Sequence, residues 1–239
     1  MKNTFTCLCI AAVAVLFNPA AGNAAHPLTI VTVGDSTVAD YPQTDIKRGW
    51  GQVIGDYLAP SVKIVNVAEC GRSTKTFFDT NHWKEALDAK PDYIFIQFGH
   101  NDSHAKDKPE STDANTDYQE YLRRYIKEAR ETGAKPILVT PMHRVMFASS
   151  GQMTQELLPY ADAMKHVAAE TNTPIIDLYA LSDHALQPLG NSGVEGLTAS
   201  DQDRTHFTDK GARIIAKLVA EAAGKIDPLL QKQDNAARP

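Results

Sequence analysis

Cysteine is scarce in this chain. Three occur in 239 residues, and two of them, Cys7 and Cys9, lie close to the N-terminus. Cys70 is left alone in the remainder, which excludes an internal disulfide framework there. Its place after a strand-like run predicts a buried, inert thiol. Basic excess is also lacking: 24 Lys and Arg face 29 Asp and Glu, for a net charge of −5. That excludes the cationic footprint of a nucleic-acid-binding chain. After Phe17 no run approaches the ~20 apolar residues that a membrane-spanning helix needs. Internal repeats and low-complexity tracts are missing. So is any Gly-x-Ser-x-Gly, which argues against a nucleophile elbow of the α/β-hydrolase type.

The N-terminus has a layout of its own. Lys2 precedes an apolar run from Cys7 to Phe17, and small residues follow, ending in Gly22-Asn23-Ala24-Ala25. This predicts a secretory signal peptide over 1–24, cleaved after Ala24. The protein is then expected to be secreted or periplasmic. Residues 25–230 have the length of one domain, and 231–239 read as a polar, frayed tail. Monomer is the default expectation, with no membrane partner once the leader is gone.

Five apolar, β-branched runs alternate with amphipathic ones. The runs 28–33, 62–67, 93–98, 136–140 and 174–178 predict buried strands. Helices are expected over 50–58, 117–131, 157–170 and 210–223, with Gly133 as a stop signal and Thr208 or Asp209 as a cap. Strand–helix alternation implies an α/β doubly wound parallel sheet. Ligands of such folds bind beyond the carboxyl ends of the strands.

Chemistry-bearing residues fall where strands should end. Ser36, in Gly34-Asp35-Ser36, follows the first strand and is a candidate nucleophile, although serine is also a common helix cap. His206 is a candidate general base, and Asp203, three residues earlier, can orient it. Gly71 and Asn101, after the second and third strands, are candidate oxyanion donors together with the backbone N–H of Ser36. Asp102 is expected to anchor its loop. A rival reading places a metal on His100, Asp102, His104 and Asp107. Their spacing matches no helical His-x-x-x-His motif, and Asn101 follows His100 where such a motif has Glu. His100 and His143 are also candidates for contacting substrate. The stretch from Ser182 to Asp201, rich in Gly, Ser, Asn and Asp, suits a polar, open cleft.

Taken together, these blocks resemble the SGNH or GDSL hydrolase superfamily: Gly34-Asp35-Ser36, Asn66 through Ser73, Gly99-His100-Asn101-Asp102, and Asp203 with His206. Val31 through Thr37, Arg48-Gly49-Trp50-Gly51 and Gln97 through Asp102 are similar to its rhamnogalacturonan acetylesterase branch. The resemblance implies a three-layer, flavodoxin-like α/β fold and a Ser36–His206–Asp203 mechanism without metal or other cofactor. It also implies an acetylated polysaccharide or oligosaccharide substrate, with pectic rhamnogalacturonan first. Some fungal members of the branch carry a disulfide that this chain cannot form internally. The alternatives are xylan deacetylation, a broad esterase or lysophospholipase, and a non-catalytic carbohydrate-binding module on the same fold.

Overall fold

The computed structural model describes residues 27–232. The expected signal peptide over 1–24 and most of the expected tail lie outside this range. Five parallel strands form one sheet: β1 (Thr29–Gly34), β2 (Lys63–Asn66), β3 (Tyr93–Gln97), β4 (Lys135–Val139) and β5 (Ile175–Ile176). Their order is β2-β1-β3-β4-β5, the flavodoxin-like order, which reverses direction between β1 and β3. Register places Val31 beside Val65 on one side and Ile94 on the other.

Alternation along each strand divides the core into two layers. Ile30, Tyr93, Phe95, Ile137 and Val139 face α1 (Trp50–Val53), α5 (Leu178–Leu186) and α7 (Asp209–Ile226). Val31, Val33, Ile94, Ile96 and Leu138 face α2 (His82–Asp88), α3 (Asp117–Glu131) and α4 (Leu158–Thr171). Both faces are covered, which is why the strands read as continuous apolar runs.

Helix ends follow local chemistry. Thr208 caps α7 by accepting from Gly211 N, and Gly133 ends α3 with φ +87°. Three expectations need correction. The helix over 50–58 lasts one turn and tightens into a 3₁₀ segment at Ile54–Tyr57, because Leu58 turns extended to pair with Gln231. That pairing also docks the start of the expected tail. The fifth strand shortens to two residues because Asp177 caps α5 instead, accepting from Ala180 N. The stretch 182–201 is no open loop. It contains the end of α5, a 3₁₀ turn and the short α6 (Gly190–Gly193), and Ser182 is fully buried.

Candidate active site

The first crossover begins at Gly34, packed so closely that a Cβ would lie 2.6 Å from Val38 Cγ2 and 2.7 Å from Gln97 O. Asp35 then opens a tight turn, its carbonyl accepting from Val38 N and Ala39 N, both at 3.1 Å. Ser36 sits in this turn and caps no helix, since α1 begins only at Trp50. Its carbonyl accepts from Tyr41 Oη at 2.8 Å. The residue retains 9% exposure, so its hydroxyl is reachable.

His206 meets this hydroxyl from the far end of the chain, with Nε2 2.8 Å from Ser36 Oγ. On its other side, Nδ1 lies 2.8 Å from Asp203 Oδ2 and 3.0 Å from Oδ1. The same carboxylate accepts from His206 N at 3.0 Å and Thr205 N at 3.2 Å, closing the 203–206 segment into a turn. Burial raises the pKa of Asp203, but the bonds and charge from His206 outweigh it, leaving the carboxyl below its ordinary range. This turn is anchored next door. Phe207 pairs with both Arg48 and Thr198, and Ala199 N donates to His206 O at 2.8 Å.

Gly71 and Asn101 lie on the loops after β2 and β3. Gly71 has φ +78°, a conformation that favours glycine. Its N–H and that of Ser36 donate to no protein group among the described residues. Asn101 Nδ2 donates one hydrogen to Arg72 O at 2.8 Å, which fixes the amide and leaves its second N–H for a ligand. The sheet order thus brings the loops after β1, β2 and β3 to one edge, across the reversal between β1 and β3.

Behind Asn101, Asp102 is fully buried and accepts from Thr74 N at 3.1 Å and Thr112 Oγ1 at 2.9 Å, as well as from the Thr74 hydroxyl. It anchors the loop, as expected. Burial pushes its carboxyl up to about 7, assisted by the Asp35 charge and opposed by the threonine bonds.

Three expectations fare differently. His100 is 2% exposed and holds Nδ1 3.4 Å from Asp35 Oδ2, a charge contact too long to be a good hydrogen bond. Burial raises the pKa of Asp35, yet His100 and Thr37 bring it below the usual range. His143, also 2% exposed, stacks 3.9 Å from the Tyr179 ring with Nδ1 3.1 Å from Thr154 O. Burial lowers its pKa against the pull of Asp183. Both rings are enclosed by protein and offer no face to a substrate. Cys70, in contrast, is exposed. The Asn66 side chain ties the loop after β2 to the first crossover, accepting from Ala68 N and donating to Val38 O.

The rival metal cluster does not converge. His104 turns to Glu110, 2.7 Å away. Among the described residues, no three His, Cys, Asp or Glu side chains are grouped to hold a metal ion.

One supporting chain escaped the sequence reading. Trp50 Nε1 donates to Gln97 Oε1, and Gln97 Nε2 to Thr37 Oγ1, both at 2.6 Å. Thr37 Oγ1 then donates to Asp35 Oδ1 at 2.7 Å. The available signal was Gln97 itself, a polar residue closing an otherwise apolar buried strand.

Comparison with known proteins gives a consistent picture. The model of the GDSL-like lipase/acylhydrolase family matches residues 32–214. A probable rhamnogalacturonan acetylesterase of Bacillus subtilis is 40% identical over 80% of this chain and 90% of its own. A rhamnogalacturonan acetylesterase of the same organism is 36% identical over 82% and 89%. Among solved structures, an acetylxylan esterase of Geobacillus stearothermophilus superposes with TM-score 0.65 over 82% of this chain and 94% of that one, at 21% identity. At that identity the match speaks for the fold.

Proposed function

The chain belongs to the GDSL-like lipase/acylhydrolase family and is a serine carboxylic ester hydrolase; we propose that it deacetylates a plant cell-wall polysaccharide, rhamnogalacturonan first. The observation that carries the chemistry is the unbroken line from Ser36 Oγ through His206 to Asp203, with 2.8 Å contacts on both sides of the ring. The named activity of the two Bacillus relatives supports the substrate.

In this reading Ser36 Oγ attacks the acetyl carbonyl as His206 Nε2 takes its proton. Asp203, ionised because its carboxyl lies below the ordinary range, holds the ring and stabilises the imidazolium. The N–H groups of Ser36 and Gly71 and the free amide hydrogen of Asn101 bind the oxyanion. His206 then returns the proton to the departing sugar hydroxyl. Water, deprotonated by His206, attacks the acetyl-enzyme; collapse releases acetate and restores Ser36. A polymeric substrate lies outside the cell, so we also propose export with removal of residues 1–24, which predicts Ala25 as the mature N-terminus.

Acetate release from acetylated rhamnogalacturonan, with acetylated xylan alongside, tests the proposal. Release from the pectic polymer that is lost in Ser36→Ala is the expected result. Release from xylan alone keeps the chemistry and moves the substrate. Hydrolysis that survives Ser36→Ala overturns the mechanism.

A further inference from the structure

We infer that Arg144 is a positioning residue for this hydrolysis, joining the loops that carry Asn101 and His206; its role rests on the serine-esterase reading above. Ser36, Asn101 and His206 each follow a residue held by protein contacts. Asp35, before Ser36, is fully buried, and His100, before Asn101, is 2% exposed. Thr205, before His206, turns its hydroxyl to Arg144.

Arg144 stands where the last two of these predecessors meet. It follows the carboxyl end of β4, and its side chain is 15% exposed. Nη2 donates to His100 O at 2.9 Å and Nη1 to Thr205 Oγ1 at 2.6 Å. The His100 ring lies 3.4 Å from Asp35 with no hydrogen bond between them. The backbone repeats the link to the loop of the base, as Val145 N donates to Arg204 O at 2.8 Å. Burial lowers the pKa of the guanidinium, while Glu156, Asp35 and Asp203 raise it; it keeps its charge regardless. Its nearest counter-ion, Glu156 Oε1, lies 3.5 Å from Nε, on the remaining edge of the fork.

A planar guanidinium can hold two acceptors in fixed directions at once, which a lysine ammonium on a flexible stem does not reproduce. Arg144 thereby sets the spacing between the loop of the oxyanion amide and the loop of the base. It touches no reacting atom, so its loss acts through geometry, and a displacement of about 1 Å at such a site costs roughly 10²-fold in rate.

The test uses the full-length enzyme, 4-nitrophenyl acetate, and the variants R144K, R144M, T205V and R144M/T205V, with S36A as reference and thermal melts for each. R144M is expected to lower kcat by roughly 10–100-fold with KM within about twofold. R144K should recover only part of that loss. T205V should cost several-fold, and the double variant should be no worse than R144M alone, because both changes break one linkage. Folded R144M with kcat near wild type, or additive losses in the double variant, overturns the role. Should R144M not fold, T205V and R144K decide by the same kcat criterion. Wild-type hydrolysis that persists in S36A overturns Ser36 as the nucleophile, and the role of Arg144 with it.

Discussion

Asn101 and Asp203 both serve the proposed mechanism, yet their losses should differ. Asn101→Ala removes a proposed donor to the oxyanion, and kcat should fall about 10²–10³-fold with little change in KM. Asp203→Asn leaves the turn but puts a neutral amide against His206 Nδ1, and kcat should fall on the order of 10²–10⁴-fold. Steady-state kinetics on one ester reads both, and an unchanged kcat in either variant removes that residue from the mechanism. Asn101 drew notice because it stands in a short block after a recognisable strand, and Asp203 because it lies three residues before a histidine on the way into the last helix. The buried state of His100 and His143 was not, since histidine suits a cleft and a core equally by sequence. Cys70 misled in the opposite direction: β2 stops at Asn66, and Cys70 is exposed on the loop beyond it.

At the scale of elements, α3 was readable from its spacing and spans the expected residues. Its apolar stripe and terminal glycine are local signals. The segment after Trp50 was not readable, because what ends it is a pairing with Gln231, far along the chain. The chain of bonds from Trp50 through Gln97 and Thr37 to Asp35 has the same non-local character. Trp50→Phe should leave Gln97 Oε1 buried without a donor, costing about 1–3 kcal/mol. Urea denaturation would measure this, and a loss under about 0.5 kcal/mol would show that Gln97 finds another partner.

For the whole molecule, carboxyls with displaced pKa pull stability in opposing directions with pH. Asp35 and Asp203 lie below their ordinary range, so their contribution is present above it and is lost on acidification. Asp102 is raised from 3.8 to about 7. Its contribution is therefore full below about pH 4 and is lost as pH climbs toward 7. Asp102→Asn removes that titration. Melting temperatures between pH 4 and 8 should show wild type losing ground to the variant as pH rises, by several degrees or so. A gap that does not vary with pH would mean that the Asp102 carboxyl does not titrate in that window.

The order of the groups along the chain has a consequence for biosynthesis. Ser36, Gly71 and Asn101 all precede β4, and they belong to loops of the three adjacent strands β2, β1 and β3. His206 and Asp203 come later, on the turn that leads into α7. On the proposed mechanism, a nascent chain can therefore assemble its sheet and the oxyanion donors while still lacking a base. Hydrolysis is then expected to be the last property it acquires, arriving when the turn before the final helix docks.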